Sequence, residues 1–550
     1  MNTLFARHRD LIERAVQALG MRGFWTPFPE VPSGKIYGAT AREDGRLAHE
    51  ARLGQPFALE GHPESHRLGA EVSPWGPALG ITYPAAEPAT LVAAAEAAAP
   101  VWAALAPEAR VGILAEALVR LNAMSFEMAE AVVHTTGQAF PMAFQAGGPH
   151  AQDRGLEAVA AAWAEMGRAP ARALWEKPAK GAPILIEKHW RVVPRGIGLV
   201  IGCQTFPTWN SYPGLFASLA TGNPVIVKPH PGAILPLALS VAVLRDLLAE
   251  QGLPRDVVLL AVDSAEAPVA KDLVRHAAII DYTGSNAFGA WVRANAGAAR
   301  VYTEEAGVNS IVIASTDAFG PMCANIAFSL ALYSGQMCTA PQDIFIPRGG
   351  IETDEGHKSF DDVAKGIAGA IDALLADPAR ATAVCGAIAN PATLDRIAAA
   401  RGLGRVIRDS APLAEGRSAT PLVVAVEASE AEAYGTERFG PIAFLVAVGD
   451  AEEGVARAAG LAREKGAITA ALYDRDEARI IRAADAFARA GVNLSVNLTG
   501  EIFVNQSAAF SDFHVTGLNP AGNACLTDTA FVAGRFVRAM WRRPAPRPAA

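Results

Sequence analysis

The chain has 550 residues, 51% of them apolar and 19% charged, enough for a large buried core spanning roughly two to three ordinary domains, which excludes global disorder. Its 48 basic and 56 acidic side chains leave a net charge of −8 and a pI near 5.8, so no electrostatic footprint favours nucleic acid or an anionic membrane. Five cysteines, Cys203, Cys323, Cys338, Cys385 and Cys525, are scattered and never spaced as CxxC, which fits a reducing compartment and argues against a disulfide framework or structural zinc.

In the first twenty residues, Arg7, Arg9, Asp10, Glu13 and Arg14 interrupt the apolar positions, so there is no signal-peptide core; Leu4, Phe5, Leu11, Ile12, Val16 and Leu19 share a helical face. The longest apolar runs elsewhere, such as GIGLVIG, fall far short of the roughly 18–20 residues needed to span a bilayer. A soluble, cytoplasmic protein is expected. Residues 24–90, dense in Pro and Gly, read as an extended arm laid over the main body. From 89 onward an Ala-rich helical stretch begins, with Pro100 and Pro107 expected to break it and Gly137 to stop it. Beyond 183, apolar runs (ILIEKHWRVV, GIGLVIG, NPVIVKP, DVVLLAV, AAIIDYTGS, SIVIAS) alternate with helical ones, as a parallel α/β sheet requires. The closing RRPAPRPAA reads as a disordered Pro-rich tail.

No HExxH, zinc-spaced Cys/His cluster or GxxxxGK[ST] loop is present, so no metal is expected. Cys338, in Gly335-Gln336-Met337-Cys338-Thr339-Ala340, lies in a short polar turn after a buried-looking helix. That is where a thiol is both reachable and held, although a small core residue is the commoner fate of a cysteine. Glu304, in VYTEEAGVNSIVIAS, is by itself an ordinary carboxylate entering a strand. Together the two make sense, because a free thiol near pKa 8.5 needs a base, and an acyl-thiol intermediate needs one to activate water. Gly284-Ser285-Asn286-Ala287-Phe288-Gly289 follows a strand and opens a helix, an arrangement suited to a pyrophosphate but also found in plain tight turns.

These motifs together resemble the NAD(P)-dependent aldehyde dehydrogenase superfamily over about residues 89–535. Glu304 and Cys338 stand 34 residues apart, the separation that family shows between base and nucleophile; GQMC is similar to its GQxC and EEAGVNS to its ELGGKSP. Glu305 lies where an apolar residue is usual. The resemblance implies further that Lys228, in TGNPVIVKP, binds the adenosine ribose, that Gly284, Ser285 and Gly289 form the pyrophosphate turn, that Glu437 in TERFGPI holds the nicotinamide ribose, and that Phe439 packs near the nicotinamide. It departs at two places. Thr205 stands where the family has the asparagine that steadies the oxyanion, with Gln204, Asn210 or the Cys338 N–H as other donors; loss of such a donor costs about 10²- to 10³-fold. Pro231 stands where NAD-preferring members often carry a glutamate, so NADP is expected to be tolerated and slightly favoured over NAD.

A narrower resemblance, carried by HTTGQAFPMAFQAGGPHAQDRGLEAVA, GCQTFPTWNSYPGLFASLATGNPVIVKPHPGAILP and FSDFHVTGLNPAGNACLTDTAFVAGRF, is to the phenylacetic acid degradation (PaaN) branch of the superfamily. It implies oxidation of a ring-opened CoA-thioester semialdehyde, 3-oxo-5,6-dehydrosuberyl-CoA semialdehyde, to the acid. The expected chemistry is attack by Cys338, support of the oxyanion around Thr205, hydride transfer to the nicotinamide, and hydrolysis assisted by Glu304. A CoA-acylating dehydrogenase and a catalytically retired scaffold subunit are the alternatives. The expected fold is α/β: a Rossmann-type cofactor domain (89–182 and 195–304), an α/β catalytic domain (305–510) and a small bridging β element (183–194 and 511–535) that joins subunits into a homodimer or homotetramer. An N-terminal arm and helix (1–88) and a disordered tail (536–550) flank these parts.

Overall fold

Short β-branched runs bounded by Gly, Pro and Asn become the strands of two parallel sheets in this computed structural model, which describes residues 2–69, 71–305 and 307–546. Five strands form the first sheet: Gly198–Ile201, Val225–Lys228, Val258–Leu260, Ile279–Gly284 and Arg300–Glu305. In space the third, second, first, fourth and fifth lie side by side, all parallel. Alternate residues bury on opposite faces: Val200, Val225, Val227, Val258 and Leu260 against the helices Pro107–Ala123, Pro149–Met166 and Leu235–Glu250, and Leu199, Ile201, Ile226, Leu259 and Ile280 against Pro88–Ala104 and its neighbours. The winding reverses between Gly198–Ile201 and Ile279–Gly284, and ligands of doubly wound sheets bind beyond the C-terminal ends of the strands flanking such a reversal.

The second sheet runs Arg405–Arg408, Leu422–Glu427, Ile442–Val448, Asp343–Pro347, Ser310–Ile313, Thr469–Tyr473 and Asn493–Val496. Only its first pair is antiparallel. It carries its own two apolar layers, and the turn holding Cys338 leads into its strand Asp343–Pro347.

Several expectations need correction. The bridging element is a three-stranded antiparallel sheet of Arg172–Lys177, Ile184–Pro194 and Phe536–Pro544, so it begins before 183, and its C-terminal strand is not in 511–535. Residues 536–544 are therefore ordered strand and not tail, because nine successive residues pair with Ile184–Pro194 and Pro544 stands only at the end of the ladder, where a missing N–H is tolerated. Residues 547–550 lie outside the described part. The arm contains a helix, Ala41–Glu50, supported by Arg46 pairing with Glu43 and Glu50; its Gly45 sits so close to Phe126 that a Cβ would meet Phe126 Cβ at 2.5 Å. Pro100 does not end its helix, which runs Pro88–Ala104; Pro100 and Glu96 are exposed, so the carbonyl that loses its partner lies on the solvent-facing side of the helix, where such a loss is tolerated. Gly137 does end Ser125–Thr136, in a left-handed conformation. Among the described residues no single helix is long and apolar enough to cross a membrane.

Candidate active site

Cys338 owes its position to the residues before it. The helix Phe319–Ala331 ends in a 3₁₀ turn, Leu332–Gly335, where Tyr333, Ser334 and Gly335 are all left-handed, with φ of 50°, 49° and 61°. That conformation is costly for the two non-glycine residues and is held by buried bonds: Tyr333 Oη donates to Thr136 O, Ser334 Oγ to Cys385 O and Ala419 O. At Gly335 a Cβ would fall 2.5 Å from Gly440 O. Gln336 Nε2 donates to Tyr333 O and Ala387 O, while its Oε1 accepts from Ala389 N. Asn309 Nδ2 then donates to the carbonyls of Cys338 and Ala340 at 2.8 and 2.9 Å. The Gly-Gln pair and Asn309 are thus structural clamps on the turn that presents the half-buried thiol.

Glu304 is the penultimate residue of the edge strand Arg300–Glu305, and strand alternation separates it from Glu305. Glu305 pairs with Arg293 of the helix Asn286–Asn295, whereas Glu304 turns the other way and accepts from Cys338 Sγ at 3.5 Å. Asn210 Nδ2 donates to both carboxylate oxygens at 3.0 Å, and His514 Nε2 lies 3.0 Å from Oε1. Burial opposes ionisation of Glu304, but the charge and hydrogen bond of His514 and the bonds from Cys338 and Asn210 outweigh it and hold the carboxyl below its ordinary value. Burial, then the nearby Glu304 charge, push the Cys338 thiol well above its ordinary value. The resting pair is therefore thiol and carboxylate, with the base poised to take the proton.

Thr205 directs its hydroxyl at Cys203 Sγ, 4.0 Å away, and its carbonyl accepts from Gln138. Cys203 Sγ donates in turn to Asn210 Oδ1 at 3.5 Å. Asn210, considered from sequence as a substitute oxyanion donor, is engaged with Glu304. Glu304 Oε1, Cys338 Sγ and His514 Nε2 lie within 4.8 Å of one another. His514 Nδ1 has no partner among the described residues, whereas a metal-ligating imidazole is ordinarily fixed through its other nitrogen.

Of the residues singled out for a dinucleotide, Lys228, Gly284 and Ser285 sit at or just beyond the C-terminal ends of first-sheet strands. Lys228 closes Val225–Lys228, buried, with Nζ 2.7 Å from Asp263 Oδ1; burial lowers its pKa and Asp263 partly restores it. Gly284 closes Ile279–Gly284, and Ser285 caps the next helix by accepting from Phe288 N. Gly289 serves packing, since a Cβ there would meet Glu305 Oε1 at 2.3 Å. Glu437 and Phe439 lie in a loop before Ile442–Val448. Burial pushes the Glu437 carboxyl up to about 7 despite Arg396, and Arg396 Nε donates to Phe439 O. A winding reversal, a capped helix start and a lysine at a strand end suit a nicotinamide dinucleotide.

Sequence reasoning missed His514 and Asp263. His514 stands within FSDFHVTGLNPAG, noted only for its resemblance, and no spacing rule ties it to Glu304. Asp263 follows the strand Val258–Leu260 by three residues, and only the neighbouring parallel strand shows that it meets Lys228.

The Aldehyde dehydrogenase family model matches residues 81–519. A crystal structure of an NAD-dependent aldehyde dehydrogenase from Burkholderia multivorans is 52% identical, with 99% of each chain covered and a TM-score of 0.97. A mutant of Thermus thermophilus 1-pyrroline-5-carboxylate dehydrogenase superposes with a TM-score of 0.76 at 20% identity over 95% of this chain and 99% of that one, a likeness of fold. Among curated proteins, the N-succinylglutamate 5-semialdehyde dehydrogenase of Burkholderia mallei (strain SAVP1) is 29% identical over 280 residues, 48% of this chain and 54% of its own. The chain thus spans about half the length of the curated relatives it matches.

Proposed function

Since this chain belongs to the aldehyde dehydrogenase family, we propose that it oxidises an aldehyde to a carboxylic acid with Cys338 as nucleophile and Glu304 as base. The observation that carries this reading is the Cys338 Sγ to Glu304 Oε1 contact of 3.5 Å between the end of a first-sheet strand and a turn leading into the second sheet. Glu304 takes the thiol proton as sulfur adds to the carbonyl carbon. Thr205 and Asn210 are already engaged, which leaves the Cys338 N–H and the Gln204 side-chain amide to take the thiohemiacetal oxyanion. A nicotinamide dinucleotide, when bound, would supply the hydride acceptor; Lys228, Gly284 and Ser285 would hold its adenosine and pyrophosphate part, with Gly289 letting the helix pack close behind the turn, and Glu437 and Phe439 would hold its nicotinamide end. The acyl group left on Cys338 is a thioester; Glu304 passes the sulfur proton to solvent, then takes one from the water that attacks the thioester and returns it to the departing sulfur as the acid is freed. The presence of that glutamate favours free acid over transfer to CoA.

NAD is the better cofactor assignment. The Burkholderia multivorans neighbour is NAD-dependent, and Asp263 already neutralises Lys228, so a 2′-phosphate finds a carboxylate where it needs a free cation. The expectation favouring NADP rested on Pro231 alone. For the substrate, the PaaN-like segments support a ring-opened CoA-thioester semialdehyde. The three-stranded sheet supports a homo-oligomer. The test is a panel of aldehydes, with and without a CoA thioester, assayed with NAD and NADP and analysed for free acid. NAD-linked acid formation that disappears in Cys338→Ala is expected; a Cys338→Ala protein that still reduces NAD overturns the assignment.

A further inference from the structure

We propose that His514 is a positioning residue for Glu304, holding the base against Cys338 from the C-terminal segment; this deepens the reading of Cys338 and Glu304 as nucleophile and base, and rests on it. The oxygen that His514 Nε2 approaches at 3.0 Å, Glu304 Oε1, is the same one that faces Cys338 Sγ at 3.5 Å. Asn210, from the helix Pro207–Ala220, donates to both oxygens. Two donors on separate segments therefore fix both the position and the plane of the carboxylate.

The segment that delivers His514 is built onto the open edge of the strand Arg300–Glu305. Glu305 N donates to Ala521 O, Thr303 N to Asn523 Oδ1, and Asn523 N to Thr303 O; Leu526 N then donates to His514 O at 3.1 Å. The ring is buried and stands edge-on to Trp209, centroids 4.7 Å apart. Beside it, Val515 adopts φ 61°. Left-handed backbone is a marked outlier for a β-branched residue, and such strain concentrates where surrounding structure must hold a functional group in place. Val515 packs with Ile468 and Ala521 in the small apolar cluster that Cys338 touches. Adjacent residues thus set both partners: His514 aims the base, and Val515 backs the thiol.

A carboxylate that must first accept a proton from sulfur and then from water needs its oxygens kept near the reacting atoms, and misplacement by about 1 Å costs on the order of 10²-fold. Stopped-flow measurement of NADH formation, with an aldehyde the wild type turns over, separates the acylation burst from hydrolytic turnover. The variants are His514→Gln, which keeps a donor at the reach of Nε2, and His514→Asn, which is equally polar but too short. His514→Asn is expected to keep the burst amplitude and KM while steady-state turnover falls about 10- to 100-fold, and His514→Gln to recover most of it. In a Glu304→Gln background the Asn substitution should cost nothing more, since both act through one group. Equal turnover in His514→Asn and wild type, a loss that Gln does not relieve, or a loss that persists beside Glu304→Gln would each overturn the proposal. A Cys338→Ala protein that still reduces NAD with that aldehyde instead refutes the underlying assignment of Cys338 and Glu304.

Discussion

Burial and the Glu304 carboxylate, in that order, push the Cys338 thiol well above its ordinary value, so at neutral pH the free enzyme stores its nucleophile protonated. The sign has a testable consequence. A raised pKa means a smaller thiolate fraction, so alkylation of Cys338 by iodoacetamide should accelerate through the alkaline range without levelling off below pH 9. Glu304→Gln removes the negative charge that disfavours thiolate and should raise the alkylation rate near pH 7.5, even as it slows hydrolytic turnover to a measurable residue. Slower alkylation in that variant would mean that the carboxylate activates the thiol before substrate arrives. Cys338 and Glu304 were legible in the chain because each sits in a motif and their separation is a fixed interval. The motif register assigned the base to Glu304 over Glu305, and strand alternation gives the physical reason, sending Glu305 to Arg293. His514 was illegible because its partner lies 210 residues away and is reached through an edge pairing that no local pattern encodes.

Single side chains also tie elements together. Arg535 is fully buried between the C-terminal segment and the first sheet, donating to both oxygens of Asp281 at 2.7 and 2.6 Å, and to Ser218 Oγ. Gly214 opposite has no room for a Cβ, which would lie 2.3 Å from Asp281 Cγ. Removing one partner of such a pair strands the other charge in a low-dielectric interior, so Arg535→Ala should lose about 3–5 kcal/mol, read from chemical denaturation. Because Arg535 anchors the stretch that also carries His514, the variant should lose hydrolytic turnover along with stability. The alternation of apolar runs and helices revealed the two parallel sheets, since parallel strands buried on both faces are continuously apolar. It did not reveal Phe536–Pro544, whose FVRAMWRRP is rich in Arg and exposed along nearly its whole length; a strand on a projecting sheet, solvated along both faces, lacks the continuous apolar run that marks a buried one.

That projecting sheet bears on the whole molecule. Its register places Leu174, Val193, Val537 and Trp541 on one face, all exposed, with Trp541 stacked flat on His189 at 3.9 Å. Its outer strands, Arg172–Lys177 and Phe536–Pro544, leave open edges, and an exposed edge beside apolar side chains is an association template unless another chain covers it. The charges nearby are spent within the sheet, Glu187 taking Arg172, His189 and Arg543, so they do little to repel a second copy. A subunit of this shape should be an oligomer through this sheet. Replacing Val537 and Trp541 together with glutamate puts like charges on the exposed face without touching the core or the candidate active site. The doubly substituted protein should keep its cooperative melt and its thiol alkylation profile, and light scattering coupled to size exclusion should show it as a monomer where the wild type is a dimer or tetramer. A monomeric wild type at micromolar concentration, or unchanged mass in the variant, would remove this sheet from the assembly.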